Sequence, residues 1–187
     1  MLLLWGVVAG VLIGLLRGGK VANLEKMGTN HLWLVTLALI IQLLIFPLFS
    51  EEPLISFGTE LFHLGSYLLL FVFVIVNWKV WQIPIMGLGM TLNLLVIGIN
   101  DGFMPVSVES LKRAGESEVA KSLLENGTYG NVIKMSDSTI LDILGDWLYL
   151  PEWFPFSTAF SLGDTIIAIG LVFFFGLGMV SKTTINK

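Results

Sequence analysis

Polar side chains recur inside the apolar stretch from Met86 to Ser107. Asn93 and Asn100 lie seven residues apart, and Asp101 follows directly. Seven residues of α-helix return to nearly the same direction, so the two asparagines share a helix face. Amide groups can orient a ligand, and a carboxylate at a helix C-terminus opposes the helix dipole unless a cation, a donor or water compensates it. The spacing therefore predicts a binding site for an ion, a small molecule or a lipid headgroup.

Four further polar side chains in apolar runs are candidates for the same site. Gln42 lies in the second apolar run, His63 and Tyr67 share a face of the third, and Asp164 begins the last. Each also has a plain structural interpretation. The amides and the histidine are able to hydrogen-bond between helices, and the Ser161-Leu-Gly-Asp164 pattern is typical of a helix cap. Asp101 itself could be a solvated interface residue.

The composition is that of a membrane protein. Of the 187 residues 55% are hydrophobic and 13% charged, whereas soluble domains have about one quarter charged residues. Long apolar runs without period-2 alternation favour helices over barrel strands. We expect an all-α fold, an integral membrane bundle of five transmembrane helices at about residues 2–16, 31–49, 59–78, 80–100 and 160–180. Charges follow the first run and none precedes it, which favours a retained anchor over a signal peptide.

The residues between the fourth and fifth runs, 102–159, are called the lid segment below. Gly102 and Pro105 predict the end of the fourth helix. Two amphipathic helical patterns follow, at residues 107–125 and 140–148, with turns predicted over 126–131. Aromatic residues are concentrated from Trp147 to Phe156, as is typical of a chain that re-enters the headgroup layer.

The basic residues predict the orientation of the bundle. Outside the lid segment they fall in the link between the first two runs, in the link between the third and fourth, and in the C-terminal tail: Arg17, Lys20, Lys26, Lys79, Lys182 and Lys187. The positive-inside tendency then places the N-terminus outside, the C-terminus in the cytoplasm and the lid segment outside. This orientation brings the polar residues together in an outward-facing polar cup beneath the lid segment.

Three groups of residues carry the functional predictions. The predicted ligand-binding residues of the cup are Asp101, Asn100, Asn93, His63, Asp164, Gln42 and Tyr67. Arg17 and Lys20, in a glycine-rich basic link, are candidates for contact with phosphate or lipid headgroups, or serve as topology charges alone. The glycines that recur every fourth residue permit close helix approach, either to a homo-oligomer or partner membrane subunit or in plain packing: Gly6, Gly10, Gly14 and Gly18.

Several function classes are excluded by residue content. The chain has no cysteine, which removes disulfides, thiolate metal sites and cysteine nucleophiles. The net charge of −4 indicates no nucleic-acid partner. We find no nucleotide-binding glycine motif and no catalytic signature, and no catalytic residue, metal ligand set or cofactor is assigned. A binding or transport component is the first hypothesis and an accessory subunit of a membrane complex the second. A metal-assisted enzyme using Asp101, Asp164 and His63 is the third, because its ligand set is incomplete.

Four stretches of the chain resemble one family. Val11 to Leu24 contains RGGK and NL, and Trp33 to Gln42 is an apolar span that ends in glutamine. Asn100 to Ser107 reads NDGFMPVS, and Ser161 to Gly170 reads SLGDTIIAIG. Together they resemble a family of small bacterial multi-pass membrane proteins of uncharacterised function. The resemblance implies a bacterial cell membrane as the location and assigns no activity, cofactor or catalytic residue.

Overall fold

The computed structural model describes residues 2–45, 54–55 and 57–180. Five long helices make most of it: α1 (Leu2–Leu16), α2 (Trp33–Ile45), α3 (Thr59–Val76), α4 (Gln82–Ile99) and α7 (Leu162–Gly178). A 3₁₀ helix, Val21–Met27, links α1 to α2. The apolar runs thus form helices where the sequence predicts them. The residues that would extend the second predicted span beyond Ile45, and Lys182 and Lys187, lie outside the described residues.

The long helices pack in the order α1, α7, α4, α3 and α2. Glycines set the closest approaches, because a Cβ at Gly6 would lie 2.9 Å from the carbonyl oxygen of Ala168, and one at Gly14 would lie 3.0 Å from the Cβ of Met179. These pairs make α1 and α7 parallel. Gly170 lies against Met86, and Gly89 against the backbone of Gly163, which makes α4 antiparallel to α7.

The glycine ridge of α1 is used within the chain. Gly6, Gly10 and Gly14 are buried against α7. Gly18 has a positive φ of 75° in the turn after α1, and a Cβ there would meet nothing within 4 Å. Close packing is therefore what the ridge provides, and its three buried glycines are not available to a partner subunit. The glycine ridge therefore no longer favours the accessory-subunit hypothesis, which stays a prediction.

One helix among the described residues is long and apolar enough by itself to cross a membrane, namely α4 with 18 residues. A second candidate span arises only if α1 and the 3₁₀ helix after it are counted together across a bend of 104°. α2, α7 and the apolar part of α3, Leu61–Val76, have 10 to 17 residues. The molecule is mostly helical with one or two candidate membrane-spanning helices, and the prediction of five spans is not confirmed by helix length.

The lid segment contains strands, so the all-α prediction is wrong there. Its five strands are β1 (Met104–Val106), β2 (Thr128–Tyr129), β3 (Val132–Lys134), β4 (Leu148–Tyr149) and β5 (Ala159–Phe160). β3 is the central strand of one sheet, parallel to β1 and antiparallel to β2. β4 and β5 form an antiparallel pair. Strands this short depend on their partners, and none shows a period-2 pattern long enough to detect.

The predicted amphipathic helices are only partly correct. The first divides into α5 (Val108–Arg113) and α6 (Ser117–Asn126), because Gly115 takes a left-handed φ of 79° between them. The second, at residues 140–148, is wrong: the structure has a short 3₁₀ helix, Asp142–Leu144, followed by β4. The predicted turns are confirmed at Gly127, which caps α6 in the left-handed conformation, and at Gly130 between β2 and β3. Thr128 and Tyr129, within the same predicted range, form β2 instead.

The lid segment packs on one end of the helices. Val106, Leu111, Ala120 and Leu123 form its own small core. A second cluster joins it to α4 and α3, through Val96, Ile97 and Met104 with Tyr67, Val132 and Leu144 around them. At α1, Trp5 Nε1 donates a 3.0 Å hydrogen bond to the carbonyl of Pro155. The ends of three helices are therefore held under the lid segment.

Candidate functional site

Asn93 and Asp164 belong to a closed hydrogen-bond network between α4 and α7, called the α4–α7 polar cluster below. Asn93 Nδ2 donates to Asp164 Oδ1 at 2.8 Å, and Ser161 Oγ donates to Asn93 Oδ1 at 2.9 Å. Ser161 and Asp164 also form the predicted capping box: the Asp164 amide donates to Ser161 Oγ, and the Ser161 amide donates to Asp164 Oδ2. Asn93 and Ser161 are buried. These groups fix the register of α4 on α7.

Asn100 holds the lid segment to α4. Its Nδ2 donates to the carbonyls of Val96 and Ile140, both at 2.8 Å, and its Oδ1 accepts from the Ile140 amide at 2.8 Å. The residue is 7% exposed. A side chain whose donors and acceptor all bond to the backbone serves as a clamp between α4 and the lid segment. The predicted contact of Asn100 with a ligand stays a prediction.

Gln42 lies between α2 and α3. Its Nε2 donates to Ser66 Oγ at 3.1 Å, and that hydroxyl donates to the His63 carbonyl at 2.7 Å. Ser66 is fully buried. Gln42 therefore joins α2 to α3, which is the hydrogen bond between helices that the sequence also allowed. It is not among the residues that line the cavity between α3 and α4.

A cavity of about 480 Å³ lies between α3 and α4 under the lid segment. It is called the α3–α4 cavity below. The two helices are close at their other end, where a Cβ at Gly87 would lie 2.7 Å from a methyl group of Val74. The lining comes from both helices and the lid segment: Thr59, His63, Leu64, Tyr67, Leu94, Ile97, Gly98, Asp101, Gly102, Phe103, Gly130 and Asn131.

One face of α4 supplies the cavity. Leu94, Ile97 and Gly98 follow the i, i+3, i+4 spacing of a helix stripe, and Asp101 lies just beyond the end of α4 on the same cavity. Gly98 is exposed, and a Cβ there would meet nothing within 4 Å. The stripe points to α3, whereas Asn93 points to α7. The structure therefore brings three of the seven predicted cup residues, Asp101, His63 and Tyr67, to one cavity and places the other four elsewhere.

Asp101 occupies the position after the C-cap of α4 in a left-handed conformation, with φ 55°. The Gly102 amide donates to the Ile97 carbonyl at 3.0 Å, which is the bond of a Schellman motif. Glycine is the residue that this position favours, and other residues lose about 1 kcal/mol there. Gly102, with a φ of 88°, is thus the second of two left-handed residues at the predicted helix end. Among the described residues, no hydrogen bond or ion pair engages the exposed Asp101 carboxylate.

His63 and Tyr67 lie one helical turn apart on α3. Their ring centroids are 5.1 Å apart with the planes tilted by 57°. Tyr67 also packs against the cluster of Val96, Ile97 and Met104, so that its ring forms the inner wall of the cavity. The two rings and Asp101 give the cavity an aromatic side and a carboxylate at its mouth.

Asp146 in the lid segment was not predicted as a site residue. The residue is half-buried, but its Oδ1 is fully buried and has no hydrogen-bond partner among the described residues. Burial, with the carboxylates of Asp164 and Glu116 adding to it, raises the pKa of Asp146 to about 8. Burial also raises the pKa of Glu116, although the Ala159 amide donates to it. Only the tertiary contacts reveal these environments, because the Asp146 sequence context reads as a solvated helix face.

Arg17 and Lys20 lie at the end of the helices opposite the lid segment. Both residues are exposed, and the Lys20 amide donates to the Met179 carbonyl at 2.9 Å. No ion pair or side-chain hydrogen bond engages their charged groups in the described part of the chain. No group of three or more His, Cys, Asp or Glu among the described residues could hold a metal ion, so the metal-enzyme hypothesis has no ligand set there.

These features define a mostly helical protein that carries a small α/β lid over one end of its helices. The chain belongs to a family of unknown function, DUF5317, whose pattern matches residues 26–176. A relative from Thermotoga maritima, described as an uncharacterized protein, is 27% identical over 161 residues, which cover 85% of this chain and 82% of the relative. No solved structure matches the chain.

Proposed function

We propose that this chain is a membrane protein of five spans that binds a small molecule in the α3–α4 cavity at its outer face. The protein either binds this molecule without moving it or takes part in its transport. The observation that carries the proposal is the cavity, which has the size of small-molecule sites in proteins, about 300 to 1,000 Å³. Its few polar groups converge among apolar walls, as ligand sites do.

The helix surfaces support five spans. Leu12 of α1, Leu39 of α2, Leu68 and Ile75 of α3 and Leu95 of α4 are all exposed, which suits contact with lipid. A 17-residue helix such as α7 is about 26 Å long, and the hydrocarbon core is about 30 Å thick. Local thinning of the bilayer accommodates a difference of this size at modest cost.

The helix directions support the predicted orientation. Consecutive long helices run in opposite directions, so the lid segment lies at one end, and Arg17, Lys20, Lys26 and Lys79 belong to links at the other. The basic end would face the cytoplasm under the positive-inside tendency. Trp153 is 81% exposed beside Phe154, which itself contacts Trp5 of α1. Aromatic side chains in this position fit the outer headgroup layer.

Single cysteines test the orientation. Because the natural chain has none, Asp137→Cys in the lid segment and Lys79→Cys in the opposite link are each unique labelling sites. In intact cells a membrane-impermeant maleimide should label Asp137→Cys. It should label Lys79→Cys only after the membrane is permeabilised. Equal labelling of both before permeabilisation, or of Lys79→Cys alone, would contradict the proposed arrangement.

A matched pair of glycine substitutions tests the binding. Gly98→Leu fills the cavity, whereas Gly65→Leu makes the same change on α3 at a position that does not line it, and a Cβ meets nothing within 4 Å at either site. Protein extracted directly into lipid nanodiscs should retain a small molecule, detected by mass spectrometry, in the wild type and in Gly65→Leu. Gly98→Leu should lack it. The same bound molecules in all three proteins, or none in any, would contradict the proposal.

A further inference from the structure

The ligand class can be inferred from the charge and shape of the same cavity. We propose that the α3–α4 cavity takes an organic cation that carries an apolar tail, an alkylammonium compound. This inference rests on the proposed function, since it assumes that the cavity binds a small molecule. It adds the sign of the ligand's charge and the position of its two ends.

The charge at the mouth of the cavity favours a cation. Asp101 is the carboxylate of the lining, and no lysine or arginine is among the residues that the structure shows lining the cavity. Asp101 also follows the C-terminus of α4, where the helix dipole is negative, so dipole and carboxylate act in the same direction. An anionic headgroup would be repelled at this mouth. A cation is attracted by both.

The position of the carboxylate also calls for a positive partner. Asp101 takes a left-handed conformation that glycine would adopt without cost. Its negative carboxylate also lies at the negative end of its own helix dipole, which is unfavourable. No group of the described chain compensates it by a hydrogen bond or an ion pair. A bound cation would supply that compensation. It would also pair the carboxylate as the ligand excludes water from it, which offsets the cost of removing a charge from water.

The aromatic wall suits an organic ammonium group. The rings of His63 and Tyr67 lie 5.1 Å apart on one side of the cavity, and Phe103 closes another. The face of a tyrosine or phenylalanine ring attracts a cation within about 6 Å, and quaternary ammonium groups are commonly held in such surroundings. The cationic head would thus lie between the rings and Asp101.

The apolar part of the cavity offers a path for a tail. Below the mouth the cavity is lined by Leu64, Leu94 and Ile97, and Leu64 is 57% exposed at its edge. Gly98 leaves open space on the α4 side. An alkyl chain would pass between α3 and α4 along these side chains toward the exposed apolar face of α3. A bare inorganic cation would leave this apolar part unfilled.

Three probes with one octyl tail test the class: octyltrimethylammonium, octyl glucoside and octyl sulfate. Radiolabelled probes are bound to wild-type protein in phosphatidylcholine nanodiscs, and Gly98→Leu nanodiscs give the background from partition into lipid. Octyltrimethylammonium should bind about tenfold more tightly than octyl glucoside, and octyl sulfate more weakly than both. Asp101→Asn should remove the tenfold advantage of octyltrimethylammonium over octyl glucoside. Asp137→Asn, which makes the same change at an exposed site of the lid segment, should keep the wild-type order.

The outcomes separate the two proposals. If octyl glucoside shows saturable binding that Gly98→Leu abolishes, but the cation binds no more tightly, the cationic class is wrong and the proposed binding function stands. The class is equally wrong if Asp101→Asn keeps the preference for the cation. If no probe binds the wild type above the Gly98→Leu background, both proposals fail.

Discussion

Asn100 and Asp101 are neighbours in sequence, but the structure uses them in opposite ways. Asn100 is buried and bonded on three sides to Val96 and Ile140, whereas Asp101 is exposed and its carboxylate bonds to nothing in the described chain. The same contrast separates the α4–α7 polar cluster, where every polar side chain has a partner, from the Asp101 carboxylate at the α3–α4 cavity. The two polar regions thus differ in whether hydrogen bonds within the described chain account for their polar side chains.

The contrast shows what hydrogen-bond partners indicate about function. A buried amide or carboxylate costs free energy unless it is paired, so a paired one is explained by the fold that it stabilises. A carboxylate beside a cavity without protein partners is not explained in that way, and a ligand or water must complete it. The polar residues of the predicted cup are therefore divided between a structural network and the proposed binding site.

The largest predicted effect is a pH dependence of stability that comes from Asp146 in the lid segment. Its pKa is about 8 in the folded chain, against an ordinary value of 3.8, so between these two values the folded state binds more protons than the unfolded state. The stability that this group contributes should then be fully present below pH 4 and fall as the pH rises toward 8. We expect a loss on the order of 3 kcal/mol between pH 5 and pH 8. Thermal unfolding in nanodiscs, followed by tryptophan fluorescence, measures it.

Asp146→Asn is the control for this pH dependence. The amide keeps the shape of the protonated carboxyl and cannot ionise, so most of the slope should disappear. The part that remains would come from Glu116, whose pKa is raised in the same direction. A wild-type slope in Asp146→Asn would show that the buried Oδ1 of Asp146 does not control the stability of the lid segment.

The next effect in size is the loss of the α4–α7 polar cluster. Asn93→Leu removes two hydrogen bonds and leaves Asp164 Oδ1 and the Ser161 hydroxyl without their partner. We expect unfolding to become easier by about 2 kcal/mol, because bonds to charged groups and stranded polar groups cost in this range. Thr91→Val is the control, since Thr91 is an exposed residue of α4 that bonds only to the Gly87 carbonyl. Equal melting temperatures for the two variants would argue against a structural role for Asn93.

A smaller effect is expected at the clamp between α4 and the lid segment. Asn100→Ala removes both bonds to Ile140. The Ile140 amide should exchange its hydrogen about tenfold faster, equivalent to about 1.4 kcal/mol of local opening. Asn126→Ala, which removes one exposed bond to Ser122, should leave that amide unchanged. If Asn100→Ala alters ligand binding but leaves hydrogen exchange of the Ile140 amide unchanged, Asn100 is not the clamp between α4 and the lid segment.

Much of the helical framework could be predicted from the sequence. The apolar runs, the capping box at Ser161 and Asp164, and the turns at Gly127 and Gly130 depend on local chemistry, and the structure has all of them. The strands of the lid segment could not, because each has two or three residues and exists through its partner in space. Leu141 adopts a left-handed φ of 58°, which interrupts the helix predicted at residues 140–148. The helical pattern of apolar residues does not indicate this conformation.

Only part of the predicted cup lies at one cavity, and the reason is which neighbour each face of α4 meets. Asn93 lies on the face of α4 that meets α7, and Asn100, the C-cap of α4, bonds to the lid segment. Asp101 follows the C-cap in a left-handed conformation, and it lines the cavity together with Leu94, Ile97 and Gly98, which face α3. Periodicity separates the two faces, but it does not say which neighbour each of them meets. That depends on the glycines that bring α7 against α4.

The most direct test of the contrast between the two polar regions is an experimental density map of the protein in nanodiscs saturated with octyltrimethylammonium. We expect density for the probe in the α3–α4 cavity, with the ammonium group between the Asp101 carboxylate and the Tyr67 ring, and an unchanged network of Asn93, Ser161 and Asp164. Density for the probe at Asn93 and Asp164, or a cavity closed by its own side chains, would contradict the division of the cup into a structural network and a binding site.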